Sequence, residues 1–84
     1  EENFILRFNV IYPSFMSNLR HRVPNIGKRE VLFCMLIVME KDTEQISTLM
    51  AVAPRSVNML RWRLRKKFGL NPDDSLEEAI KSLI

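Results

Sequence analysis

Nine consecutive residues, VLFCMLIVM from Val31 to Met39, carry no charged or strongly polar side chain. A segment that is apolar on every side must be enclosed by the rest of the chain, so an 84-residue protein that contains it has to be built around it. By composition the run could be a buried strand, but its length and its Met and Leu content predict a central core helix. Just ahead of it, Gly27 suits the N-cap position, and Glu30 follows three residues later, where its carboxylate reaches back to the cap N–H. The expected helix runs from there to about Met39.

The remaining punctuation, at Pro13, Pro24, Pro54 and Gly69 to Pro72, cuts the chain into helix-length pieces able to cover that core. Phe4, Phe8, Ile11, Phe15 and Leu19 recur every three or four residues. This predicts helices over Asn3 to Ile11 and Ser14 to Arg22, with Pro13 in the first turn of the second. The segment DTEQISTLM opens on Asp42 as a side-chain cap with Gln45 as its reciprocal partner, and Ile46, Leu49 and Met50 form the buried side of a short helix. Only Ala51, Val52 and Ala53 separate it from Pro54, whose fixed φ and missing N–H suit the first position of the next helix. That helix should close on Gly69 in a left-handed cap backed by Leu70. In the last piece Ser75 and Glu78 read as another capping box, with Leu76, Ala79, Ile80 and Leu83 on one side. With 46% apolar residues the chain reads as one small all-α unit: residues 1–25 an N-terminal helical arm, residues 26–84 the domain proper. Whether the arm wraps this core or pairs with another subunit is left open.

The net charge is only +3, but it is unevenly placed. The stretch PRSVNMLRWRLRKKFGL, Pro54 to Leu70, holds Arg55, Arg61, Arg63, Arg65, Lys66 and Lys67 and no acid, leaving seven cations against 10 acids in the rest of the chain. Local basicity of this kind favours contact with a polyanion. At ~100° per residue, Val57, Leu60, Leu64 and Phe68 fall in one arc and would bury the helix, while Arg55, Asn58, Met59, Trp62 and Lys66 fall opposite. A cationic helix face is ordinarily just solvated. Here it follows a short inter-helix turn, lacks acids for i,i+4 pairing and mixes Met59 and Trp62 among its cations. Groove recognition uses these residue types: Arg pairs with guanine, Asn with adenine, and Met or the Trp ring meets a thymine methyl. Lys66 suits phosphate, as do Arg61, Arg63, Arg65 and Lys67 on the flanks.

From Ile26 to Leu70 the sequence resembles, without a gap, the LuxR/GerE-type effector domain of bacterial transcription regulators. Glu30 matches the glutamate near the start of the family's first helix, Asp42 and Ile46 the cap and core of its scaffold helix, and Ser56 and Val57 the pair that opens its recognition helix. RKKFGL resembles its closing signature. The resemblance implies a four-helix helix-turn-helix bundle, here with the added N-terminal arm, that binds double-stranded DNA through a recognition helix at about 54–68 in the major groove. It implies base-facing roles for Asn58, Met59 and Trp62 and phosphate contacts near Arg55, Ser56, Arg61 and Lys66. It also implies a weak homodimer contact on DNA through Ala79 and Ile84 of the last helix. The PRSV and RWRLRKK elements look like the output domain of large one-piece sensor regulators, so the chain is expected to be cytoplasmic, as the cytoplasmic part of a longer membrane-spanning protein. The sequence departs from the family where Glu40 replaces the usual glycine after the first helix, and where Gly27 and Ala53 replace hydroxyl caps; Asn58 and Trp62 stand in place of lysines. The fold should tolerate this, since a cap contributes about 0.5 to 2 kcal/mol, but the family's target sequence does not carry over.

Other residues carry less. Cys34, the single cysteine, reads as a buried inert thiol, and His21, between Arg20 and Arg22, as a surface residue or an auxiliary phosphate contact. Asp73, Asp74, Glu77 and Glu78 lack the spacing of a calcium loop and suit the start of the last helix. No glycine-rich phosphate loop, nucleophile elbow or His–Asp pair is present in the sequence, so no enzyme activity, small-molecule substrate, cofactor or metal is expected. The reading from another class is a helical protein-interaction module, a dimerisation or RNA polymerase-contacting piece with Met59 and Trp62 as its hot spot. A membrane-surface helix is disfavoured, because the apolar side of this helix is needed by the core.

Overall fold

The apolar run is a helix enclosed on nearly every side. The computed structural model describes residues 2–84, which form α1 Glu2–Ile11, α2 Phe15–Arg22, α3 Lys28–Val38, α4 Thr43–Met50, α5 Pro54–Phe68 and α6 Leu76–Lys81, with no strand among the described residues. In α3, Val31 and every residue from Phe33 to Val38 are buried, and only Leu32 is half-buried. α5 and α6 pack against α3, and α4 packs chiefly on α5.

The helix ends show how the chain turns so sharply. Three helices close with the same pair of backbone bonds around one left-handed residue, the Schellman arrangement. At the end of α3, Glu40 N donates to Ile37 O and Lys41 N to Leu36 O. After α4, Ala51 N donates to Thr48 O and Val52 N to Ser47 O; after α5, Gly69 N donates to Lys66 O and Leu70 N to Arg65 O. The central φ values are 62° at Glu40, 57° at Ala51 and 69° at Gly69. The first two residues carry a Cβ, which costs roughly 1 to 2 kcal/mol in this region. Glu40 recovers part of that cost: Lys81 of α6 donates to both its carboxylate oxygens, at 2.9 and 2.7 Å.

Helix starts follow the sequence only in part. Asp42 and Gln45 form the full reciprocal box, with bonds of 2.8 and 2.9 Å. At α3 only half a box exists, Gly27 N donating to Glu30 Oε1 at 2.7 Å, because glycine has no side chain to return the bond. At α6 the other half exists: Ser75 Oγ accepts from Glu78 N at 3.2 Å, and the Glu78 carboxylate does not reach back. Pro13 lies in the turn ahead of Ser14, outside the first turn of α2. Two expected core residues face outward. Ile11 is 61% exposed, because α1 ends there and the chain turns before its apolar phase continues. Leu49 is 59% exposed, because Ile46 and Met50 suffice to seat the two-turn α4.

The arm wraps the core. Phe8, Phe15, Leu19 and Val23 are buried in the same cluster as Phe68 and Ile80. Phe8 gathers Phe4, Tyr12 and Phe15 around it, with ring centroids at 6.2, 4.9 and 5.3 Å. Arg22 pins α2 to the end of α5, donating to Phe68 O at 2.6 Å with its guanidinium 5.1 Å from the Phe68 ring centroid. Asn18 donates to Leu83 O at 2.9 Å and so ties α2 to the chain just after α6.

Candidate nucleic-acid interface

α5 divides along its length as the apolar period requires. Val57, Leu60, Leu64 and Phe68 are buried, and Arg55, Asn58, Met59, Trp62 and Lys66 are exposed on the opposite side. Met59 is 51% and Trp62 59% exposed, no more than Leu6, Ile11 or Leu49 elsewhere on the surface; what sets them apart is that they stand among the cations of α5. Lys66 Nζ lies 3.8 Å from the Trp62 ring centroid, a cation–π pair one helical turn apart, so one face of the indole is covered by a cation and the remainder faces solvent. The three-residue turn Ala51 to Ala53, with its left-handed Ala51, sets α5 at its angle to α4.

The flanking cations do not behave alike. Arg61 pairs with Glu77 of α6, donates to Thr43 Oγ1 of α4 at 3.1 Å and lies 5.5 Å from the Phe33 ring centroid. Arg65 donates to the carbonyls of Asn71, Pro72 and Asp74 at 2.8, 3.3 and 2.7 Å, holding the loop into α6. Lys67 donates to Glu30 Oε1 at 2.7 Å and to Asn25 O at 3.1 Å, locking α5 to the start of α3. These three, read in the sequence as phosphate contacts, fasten the fold. Arg55, Ser56 and Arg63 have exposed side chains with no hydrogen bond or ion pair inside the molecule among the described residues.

Glu30 is the one buried charge in the described structure. Burial alone would raise its carboxyl pKa, but the hydrogen bond from Lys67, the Gly27 N–H, and the charges of Lys67 and Arg63 outweigh burial and hold it below the ordinary glutamate value. Its Oε2 has no partner. Above this pair, between the start of α3 and α5, opens a cleft of about 530 Å³ whose lining includes Lys28, Arg29, Ser56, Met59 and Arg63. Lys28 and Arg29 escaped the sequence reading. Adjacent cations at a helix start are ordinary, and only the α3–α5 packing brings them beside Arg63.

The other residues weighed in the sequence fall in unremarkable places. Burial, with the nearby Glu30 charge, pushes the Cys34 thiol up to about 12, so at neutral pH it is neither nucleophile nor ligand. His21 is exposed. Asp74 caps the loop by accepting from Asn71 N at 2.9 Å, and no three-residue group able to hold a metal ion exists among the described residues. Ala79 is half-buried and Ile84 is 56% exposed. Among the described residues no helix is long and apolar enough to cross a membrane. The chain matches no family model, no curated protein and no solved structure. What this surface can do follows from its own chemistry.

Proposed function

We propose that the chain binds double-stranded DNA sequence-specifically, with α5 in the major groove, as the output domain of a bacterial transcription regulator of the LuxR/GerE type. In this reading α3 to α6 are the four-helix helix-turn-helix bundle, α4 and α5 are the helix-turn-helix pair, and α1 with α2 is an added arm. One observation carries it: α5 has no acid, and its exposed side offers Arg55, Asn58, Met59 and Trp62 together with cations that the fold itself does not use. Arg55 and Asn58 have the donor and acceptor geometry for guanine and adenine edges, and Met59 and Trp62 are apolar surfaces suited to thymine methyls. Ser56, Arg63 and Lys66 position the helix on phosphates; Arg61, Arg65 and Lys67 hold the scaffold that presents it. Homodimer formation through Ala79 and Ile84 and contact with RNA polymerase belong to the same proposal.

The test starts from a site selected out of a random DNA pool, with binding followed by fluorescence anisotropy across a range of salt. Log K should fall linearly with log [salt]. Asn58→Ala should cost roughly 1 to 3 kcal/mol on the selected site and relax one base position, whereas Lys66→Ala should weaken selected and random DNA alike. If both variants act identically on both DNAs, the reading face is misassigned. The exposure of Met59 and Trp62 also favours a second reading, a protein-binding hot spot. Absence of salt-dependent DNA binding, with capture of a partner abolished by Trp62→Ala, is its signature.

A further inference from the structure

A helix lying in the major groove has a phosphate backbone along each flank, and the two flanks of α5 are chemically unlike. On the α3 side, Ser56 and Arg63 stand beside Lys28 and Arg29 across the cleft, all four exposed. The cleft is lined by four cations, Lys28, Arg29, Arg63 and Lys67, against the single carboxylate Glu30, which lies buried on its floor and is already paired with Lys67. The surplus charge is therefore on the rim, carried by long side chains that no internal partner restrains. On the α6 side, Arg61 is paired with Glu77 and Arg65 is tied by its donors to loop carbonyls, which leave its charge in place, and the surface beyond them carries the exposed Asp73, Asp74 and Glu78.

Resting on the DNA reading above, we propose that this asymmetry sets the seating of the duplex. One strand's backbone lies over the cleft and is held by Lys28, Arg29, Ser56 and Arg63, while the acidic start of α6 keeps the opposite backbone at a distance. Exposed carboxylates repel a phosphate backbone while the unpaired cations of the cleft rim attract one, so the helix tilts toward α3. Lys28 and Arg29 thereby join the interface from outside the helix-turn-helix pair. They contribute affinity and orientation without reading sequence.

The experiment compares wild type, the double variant Lys28→Ala/Arg29→Ala, and Arg65→Ala by anisotropy on the selected duplex between low and moderate salt. It is joined to a scan in which single methylphosphonates neutralise each phosphate of either strand. Thermal melts accompany each variant; both substituted residues of the double variant are exposed, so its melt should match wild type. The expected result is a salt slope lowered by nearly 2 in the double variant, at about 0.9 per lost phosphate contact. Interference should fall on a contiguous run of one strand and, in the double variant, be lost from the phosphates facing Lys28 and Arg29 while it persists at those facing Ser56 and Arg63. Arg65→Ala should lower the melting temperature and leave the slope unchanged. Equal interference on both strands, or a wild-type slope in the double variant together with a reduced slope in Arg65→Ala, overturns the seating and leaves DNA binding standing. A wild-type protein with no salt-dependent DNA binding instead overturns the reading on which the seating rests.

Discussion

Lys67 donates to the Glu30 carboxylate at 2.7 Å, and that one contact joins the last turn of α5 to the first turn of α3, which are 37 residues apart in sequence. The separation explains why a residue read as a phosphate contact turned out to have an internal partner. Helical periodicity tells which way a side chain points from its own helix, and it sorted Asn58, Met59 and Trp62 outward and Val57, Leu60, Leu64 and Phe68 inward without error. It is silent about what stands opposite. The partners of Arg61, Arg65 and Lys67 come from other elements, so only packing reveals them. The Glu30 carboxyl has a folded pKa below the ordinary value of 4.5. Its ionised form therefore contributes stability that is fully present above about pH 4.5 and is lost as pH falls through the lower folded value. Glu30→Gln keeps an acceptor for Gly27 and Lys67 but removes the charge; it should cost about 1.5 to 3 kcal/mol at neutral pH, the range for a hydrogen bond to a charged group. Urea titrations at a series of pH values should show that difference constant above pH 4.5 and shrinking below it. A difference that grew on acidification would mean that the carboxylate destabilises the fold.

At the scale of elements, helix ends follow local rules and were the most legible feature. The Asp42–Gln45 box, Pro54 at the start of α5 and Gly69 at its end are all set by residues within a few positions of one another. Ala51 is different. Nothing in its side chain asks for a left-handed conformation; it is imposed because α4 and α5 must pack together across a three-residue turn. The exposed Cβ contributes no packing, so Ala51→Gly trades a left-handed strain of about 1 to 2 kcal/mol against the extra backbone entropy that glycine loses on folding, about 0.5 to 1 kcal/mol. It should raise stability by about 1 kcal/mol, or roughly 4 to 8 °C in melting temperature for a domain of this size. Glu40 has the same conformation but also the Lys81 ion pair, so Glu40→Gly should stabilise less than Ala51→Gly. Thermal melts of the two single variants would expose an error if Ala51→Gly proved the less stable.

Over the whole molecule the question left open by sequence was where the arm goes, and the core answers it. α3 is apolar nearly all round, so residues 26–84 leave one more side to cover than α4, α5 and α6 can reach, and α1 and α2 supply the cover. Periodicity could place Phe8, Phe15 and Leu19 on one stripe but could not say which protein surface the stripe meets. Two polar ties confirm the register: Arg22 to Phe68 O and Asn18 to Leu83 O both cross from the arm to the far end of the chain. If the arm and the rest are one cooperative unit, a cavity made in the arm must destabilise α5 as well. Leu19, fully buried, is the place to make it. Leu19→Ala should cost about 2 to 5 kcal/mol, the range for truncating a buried leucine, a large fraction of the total stability of a domain this small. The loss should appear as a lower midpoint of a single urea transition, with Trp62 fluorescence on α5 and far-UV dichroism of all the helices moving together. On the DNA reading proposed above, the affinity of the fraction still folded should be unchanged, because Leu19 is fully buried while Asn58, Met59 and Trp62 stand exposed on α5. Two separated transitions, with the Trp62 signal at its wild-type midpoint, would show instead that the arm docks on a core that folds without it.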